Sequence, residues 1–305
     1  MIRRITARPL LAGVGCLAIG GCSSVPPLAE GPFQQYHASV VQLAASADQA
    51  LAAEQQLTFQ RHIHTVASTG ELWQLQLQPD LEATIFDMKV DNVPMFQEIQ
   101  DTRANLAAMH ALVEQYAALL LVLADLSEAS TSVDAVALAA ELQTNATSLA
   151  ARLGEEPELD GGWFFGFGAI AQHYVGSQRR DLLVDLLRSG EDEMKALAEL
   201  GQQAVARSAA GTQAEYEASY SRHVQGALEL DEEERQELVA DLLELNAQTL
   251  RQLELLKQLH AAYGALPGAH LQLRTTVASG NAPSASALLA YAESLRDQYR
   301  KFTEE

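Results

Sequence analysis

The chain has 305 residues, and its 40 acidic residues outnumber its 20 basic residues to give a formal net charge of −20. Phosphate backbones and anionic lipid headgroups repel so acidic a protein, which makes nucleic acid and a bare anionic membrane poor candidate partners. The length is sufficient for one large domain or two modest ones, with a real hydrophobic core.

The N-terminus has the organisation of an export leader. Three arginines form a basic head, and residues 10–19 form an apolar stretch that is too short to span a bilayer. Small residues then precede a cysteine, in the order Ile19-Gly20-Gly21-Cys22. This segment resembles the lipobox of bacterial lipoproteins. The alternatives are an ordinary secretory leader with an accidental cysteine and a short membrane anchor.

The resemblance implies removal of residues 1–21 as a signal peptide, a diacylglycerol on the Cys22 thiol and usually a third acyl chain on the freed amine. Each buried methylene contributes about 0.8 kcal/mol, so several chains together hold a protein firmly on a membrane. Ser23 stands where an Asp would retain the protein in the inner membrane of enteric bacteria. The implied location is therefore the outer membrane, with the body facing the periplasm.

The mature body is expected to have no thiol chemistry. The chain has two cysteines, of which Cys16 lies in the leader and Cys22 is the predicted acceptor of lipid. No disulfide and no cysteine metal site is then available. Residues 22–32 contain three prolines and one glycine and are interpreted as a tether, which keeps the body within roughly 30 Å of the membrane.

The body is rich in Ala, Leu, Glu and Gln and poor in Val, Ile, Thr and aromatic residues, which favours helix throughout. We predict an all-α fold, an elongated antiparallel multi-helix bundle with long helices and little or no sheet. A short extended piece or bend is expected at 72–78. Two helical halves, 33–153 and 163–305, are expected to pack as one elongated bundle around a break at 154–162.

Periodicity and breaking residues set the predicted helix bounds. A break is expected at Ser189-Gly190, and weak order near residues 209–212. The predicted helices are 33–68, 95–126, 133–153, 163–187, one restarting after Gly190, one beginning at Asp231, and 267–277 and 284–302.

The helix that begins at Asp231 has the clearest pattern in the chain. Acidic residues occupy its first turn, where they face unpaired amides and the positive end of the helix dipole. Two adjacent apolar stripes follow, and such a wide face needs two or more neighbouring helices. The first stripe is Leu238, Leu242, Leu245, Thr249, Gln252, Leu256, Leu259 and Tyr263, and the second is Val239, Leu243, Leu250 and Leu253.

Local catalytic motifs are absent from the sequence, including zinc-hydrolase, nucleophile-elbow, phosphate-loop and haem-attachment patterns. His62 and His64 point about 200° apart on a helix and cannot bind one ion together. His110 and Glu114 lie one turn apart, but a packed core histidine is the favoured interpretation of His110. Arg103 on the same stripe is interpreted as a snorkelling or paired charge. We therefore predict no catalytic residue, no metal and no cofactor.

The most unusual internal segment is 161–168, which combines glycines with four aromatic residues. One interpretation is an exposed binding tip that enters a membrane interface or a partner's groove. The other is a hydrophobic plug where the chain re-enters the bundle. The candidate tip residues are Trp163, Phe164, Phe165 and Phe167.

These observations predict a non-enzymatic, membrane-anchored periplasmic lipoprotein whose helical bundle is a scaffold or binding protein for another cell-envelope protein. Its expected partners are the bilayer, through acylated Cys22, and an envelope protein, with no nucleic acid and no evident small-molecule substrate. The alternative is an envelope enzyme or metal-binding bundle with a site assembled from distant residues. Convergence of His110 with carboxylates from other helices would favour that alternative.

Overall fold

The computed structural model describes residues 31–69, 76–78, 87–89, 95–124, 131–153, 179–227 and 230–279, together with helical residues within 288–300. Five long helices account for most of them. They are α1 (Gly31–Thr69), α2 (Met95–Ala124), α3 (Thr131–Leu153), α4 (Arg179–Gly226) and α5 (Glu232–Ser279). At 1.5 Å per residue, the 48 residues of α4 and of α5 each extend about 72 Å. The prediction of an elongated all-α bundle is confirmed.

The helices pack in both parallel and antiparallel pairs. Tyr36 Oη lies 3.7 Å from Met194 Sδ, and further along both helices Arg61 Nη1 lies 3.3 Å from Glu215 Oε2, so α1 and α4 are parallel. Helix α5 returns against α4 as a hairpin, in which Gln202 Nε2 donates to the His260 carbonyl at 3.4 Å. Helix α2 contacts both α1 and α4. Helix α3 packs on α2.

A continuous hydrophobic core joins the helices from both halves of the sequence. Residues Asp101–Ala124 of α2 are long and apolar enough to cross a membrane by composition alone. More than half of that stretch is buried inside the bundle, which accounts for its apolarity. The largest fully buried side chains are Tyr36, Tyr116, Tyr263, Phe33, Leu51, Leu106, Met109, Leu112, Leu120, Leu123 and Leu142.

The described chain contains a small amount of sheet. Strand β1 (Gln76–Gln78) pairs antiparallel with β2 (Asp87–Lys89), and Leu77 lies opposite Met88. Strand β1 falls at the end of the segment 72–78, where the sequence predicts an extended piece or a bend.

Three predicted interruptions are absent, because tertiary packing outweighs local propensity. Helix α4 continues through Ser189-Gly190, where a Cβ on Gly190 would lie 2.7 Å from the Tyr116 hydroxyl, so this glycine admits a neighbouring ring instead of ending a helix. It also continues through residues 209–212, where Thr212 is buried. Helix α5 contains Pro267 in its interior, between the buried Leu266 and Ala269.

Two histidine–tyrosine pairs link α2 to α5 inside the core. His110 Nε2 lies 2.7 Å from Tyr263 Oη, and Tyr116 Oη lies 2.8 Å from His270 Nε2. Burial lowers the pKa of His110 to about 4, opposed by the charge of Asp48. Burial also lowers the pKa of His270 to about 4, while Glu191 raises it and Arg274 lowers it further. Both imidazoles are therefore neutral in the folded protein near pH 7.

The close contact of Gly201 with Tyr263 predicts that adding one methyl group at position 201 destabilises the fold. A Cβ at Gly201 would lie 2.8 Å from ring atoms of the fully buried Tyr263, so Gly201→Ala should destabilise the protein by about 1–3 kcal/mol. Gly211 lies in the same helix with nothing within 4 Å of its added Cβ, so Gly211→Ala should stabilise it by up to about 1 kcal/mol. Urea unfolding followed by circular dichroism measures both. Equal effects of the two substitutions would contradict the described packing.

The buried histidines predict an acid-dependent loss of stability. The unfolded chain binds protons on these imidazoles below pH 6.5, whereas the folded chain binds them only near pH 4. The free energy of unfolding should therefore fall as the pH drops from about 6.5 to 4, by about 2 kcal/mol per histidine at pH 5.

Replacement of both histidines isolates this contribution, since every carboxyl group stays the same. The variant His110→Gln/His270→Gln should lose much less stability than the wild type between pH 7.5 and pH 5. His260→Gln, at an exposed position of α5, should keep the full wild-type loss. The same pH dependence in all three proteins would show that the buried imidazoles do not cause it.

Candidate interaction surface

The second apolar stripe of α5 faces solvent. Val239, Leu243 and Leu250 are 56%, 65% and 58% exposed, whereas Leu253 is half-buried. The expectation that both stripes pack against neighbouring helices is wrong for these three residues. The first stripe takes the core position instead, with Thr249, Gln252, Leu256, Leu259 and Tyr263 all buried.

The exposed stripe has the spacing of a helix-packing seam. Val239, Leu243, Asn246, Leu250 and Leu253 follow one another at intervals of four, three, four and three residues. This is the spacing at which one helix presents side chains to a second helix, and a polar residue such as Asn in the seam fixes its register. Helix α5 therefore has one seam inside the bundle and a second one on its surface.

Helix α4 adds apolar side chains to the same side of the hairpin. Tyr220 is 47% exposed and Val224 is 45% exposed. Gln202 shows on which side of the hairpin they lie. Its side-chain amide donates to the His260 carbonyl of α5 and lies against Gly264 of the same helix. Tyr220 follows Gln202 by about five full helical turns, so the two side chains leave α4 in the same direction. We call Tyr220, Val224, Val239, Leu243 and Leu250 the hairpin face.

The surroundings of the hairpin face are acidic. Residues 213–254 contain eleven Asp and Glu but three Lys and Arg. Of those three, Arg222 donates to the Ala218 carbonyl of its own helix, and Arg235 donates to the carbonyl of Asp231, the residue before α5. On the helical projection Glu217, Glu232 and Glu254 border the apolar residues. The surface therefore presents apolar side chains within a negative field.

A reciprocal cap fixes the start of α5 beside this surface. The Glu234 amide donates to Asp231 Oδ1 at 2.9 Å, and the Asp231 amide donates to Glu234 Oε2 at 3.1 Å. This arrangement is a capping box, which satisfies two amides that would otherwise lack a helical acceptor. The predicted helix start at Asp231 is thus confirmed.

A buried polar cluster fastens the hairpin to α1. Arg61 is 4% exposed, and its guanidinium donates to Thr249 Oγ1 of α5 at 2.7 Å and to the Thr212 carbonyl of α4 at 3.3 Å. Its Nη1 is also 3.3 Å from Glu215 Oε2. Two turns earlier in α1, the carboxylate of Glu54 accepts hydrogen bonds from Ser208 and Thr212. These contacts determine where α4 and α5 cross α1.

Burial perturbs every charged group of this cluster. It raises the pKa of Glu54, opposed by the bonds from Ser208 and Thr212. It raises the pKa of Glu215, opposed by the charge of Arg61, and it lowers the pKa of the Arg61 guanidinium, opposed by Glu215. The cluster is enclosed by three helices, and we interpret it as the support of the hairpin rather than as a reaction site.

The structure places the candidate residues of α2 beside α1. A groove of about 250 Å³ is lined by Asp48, Arg103, His110 and Glu114 together with alanine and leucine residues. Arg103 pairs with Asp48 at 2.8 Å and donates to Gln55 at 2.7 Å, so it is a paired charge. His110 is a packed core histidine bonded to Tyr263, as favoured from sequence. Among the described residues, no three His, Cys, Asp or Glu side chains converge on a position for a metal ion.

Other predicted positions lie outside the described residues. They are the lipid acceptor Cys22, the candidate tip Trp163, Phe164, Phe165 and Phe167, and the side chains of His62 and His64. The hairpin face was not predicted as an exposed site. The four-residue spacing of Tyr216, Tyr220 and Val224 was an available signal, and the rings of Tyr216 and Tyr220 do stack, with centroids 6.1 Å apart.

Comparison with known proteins adds no relative. The chain matches no protein-family model, no curated protein and no solved structure.

Proposed function

We propose that this chain is a lipid-anchored, non-enzymatic helical protein of the cell envelope that binds another envelope protein. The lipobox Ile19-Gly20-Gly21-Cys22 supports the anchor and the location. The hairpin face is the observation that supports binding. It concentrates five large apolar side chains, each between 45% and 65% exposed, on one side of a helical hairpin.

Exposure of such a surface favours association. Large apolar patches on a monomer commonly mark interaction sites, because covering them removes apolar area from water at about 25 cal/mol per Å². The supporting hairpin is held by the capping box at Asp231 and by the buried contacts of Arg61. A surface built on two long, fixed helices can bind without first being ordered, which lowers the entropic cost of association.

The chemistry of the described side chains is consistent with a binding role. His110 and His270 bond tyrosine hydroxyls in the core, and Arg61 is shared among α1, α4 and α5. We propose no reaction step for the bundle. It is a scaffold whose acidic surface and apolar face select a partner.

The anchor is tested by replacing its predicted acceptor. Cys22→Ala should abolish incorporation of labelled palmitate and release the protein from the membrane fraction. Cys16→Ala should leave both unchanged, because this cysteine precedes the lipobox. Metabolic labelling and fractionation in the host provide the measurement. Continued labelling of Cys22→Ala would overturn the lipid anchor.

Binding is tested by cross-linking in the host. A photoreactive residue at Leu243 should give discrete products with an envelope protein, since this side chain is 65% exposed at the centre of the hairpin face. The same residue at Gln203, exposed on α4 outside that face, serves as the control. The expected result is products from position 243 that are missing from position 203. No product from position 243, or identical products from both, would overturn binding through this surface.

A further inference from the structure

We infer that the hairpin face accepts a cationic amphipathic helix of the partner protein. This inference rests on the proposed binding function and specifies the partner of the same surface. The inference depends on three features that lie together. A solvent-facing seam on α5 lies beside apolar side chains of α4, and acidic residues border both.

The seam indicates that the occupant is a helix. Val239, Leu243, Asn246 and Leu250 alternate at four and three residues, so their side chains form one row along α5. The interior of the bundle provides a direct comparison, because the first stripe of α5 has the same alternation and packs there against other helices. An extended peptide or a flat sheet does not match this alternation, whereas a second helix does.

The row is long enough for a specific contact. Val239 and Leu250 are separated by about three turns, or roughly 16 Å of helix axis. Tyr220 and Val224 leave α4 on the same side of the hairpin. A helix lying along α5 would therefore contact side chains of both helices, as in helix-in-groove recognition. The half-buried Asn246 would provide a polar contact within the seam that fixes the register.

The negative charge around the hairpin face predicts which residues flank the apolar stripe of the partner's helix. Residues 213–254 have eleven acidic and three basic residues, and the exposed Glu217 and Glu232 border the apolar row. Lysine or arginine beside the partner's apolar stripe would meet these carboxylates, whose field also accelerates encounter. A second copy of this chain would bring the same negative field and be repelled. An anionic membrane is disfavoured for the same reason.

The test uses the full mature chain and a synthetic amphipathic helix of leucine and lysine, about three heptads long. A scrambled peptide of identical composition and a leucine–glutamate helix are the controls. Fluorescence anisotropy should show that the leucine–lysine helix binds at least about tenfold more tightly than either control. Affinity should fall on raising the ionic strength from about 0.1 M to 1 M, which shortens the screening length from about 10 Å to 3 Å.

Matched variants locate the contact. Leu243→Ser/Leu250→Ser should weaken peptide binding at least about tenfold, because it removes two side chains that are 65% and 58% exposed. Leu271→Ser, at an exposed leucine on the same helix but outside the hairpin face, should leave the affinity unchanged. Glu217→Gln/Glu232→Gln should reduce both the affinity and its salt dependence, whereas Glu199→Gln should change neither. Urea unfolding verifies that each variant is folded.

Several results would overturn the inference. Equal binding of the ordered and scrambled peptides would indicate unspecific attraction, and equal binding to wild type and Leu243→Ser/Leu250→Ser would place the contact elsewhere. Concentration-dependent dimers that Leu243→Ser/Leu250→Ser abolishes would make a second copy the occupant. Binding to phosphatidylglycerol vesicles through the same leucines would make it a membrane. If the cross-link at Leu243 forms but the cationic helix does not bind, the proposed function stands and this inference fails.

Discussion

The position of the hairpin depends on one buried guanidinium. Arg61 of α1 bonds Thr212 and Thr249 on two different helices and pairs with Glu215. Burying such a charge is costly unless its partners are well placed, and removing one partner of a buried pair typically costs about 3–5 kcal/mol. A crossing of α1 and α4 that separated Arg61 from Glu215 would leave two buried charges without their partner. The cluster therefore favours the observed crossing, in which the first stripe of α5 faces Arg61 and the second stripe faces solvent.

The helices themselves were largely predictable, because periodicity and capping are local properties. The start of α5 followed from Asp231 and the acidic turn after it, and both act within four residues. The predicted breaks at Gly190 and Pro267 were wrong because their consequences depend on distant neighbours. Gly190 faces the Tyr116 hydroxyl, which lies on another helix, and helix α5 continues through Pro267 with buried residues on both sides. Propensity describes a residue's backbone preference and contains no information on which side chain approaches it.

The candidate surface was only half predictable for a similar reason. Both stripes of α5 are visible in the sequence, but their apolar content does not distinguish a buried stripe from an exposed one. The difference arises from polar residues. Thr249 and Gln252 belong to the buried stripe because Thr249 Oγ1 accepts a hydrogen bond from Arg61 there and Gln252 Nε2 donates one to the Ala50 carbonyl. Those partners are 188 and 202 residues away in the chain. The role of His110 was predictable, since a lone histidine on an apolar stripe commonly belongs to a core.

The parallel packing of α1 on α4 has a consequence for the order of folding. Synthesis proceeds from the N-terminus, so Glu54 and Arg61 emerge long before their partners, which lie 151 to 188 residues later. Helices α4 and α5, by contrast, are joined by a connection of a few residues and form their contacts locally. Local contacts form faster because less chain entropy is lost in closing them. The hairpin of α4 and α5 should therefore form before it docks on α1, and the charges of Glu54 and Arg61 should stay hydrated until that docking.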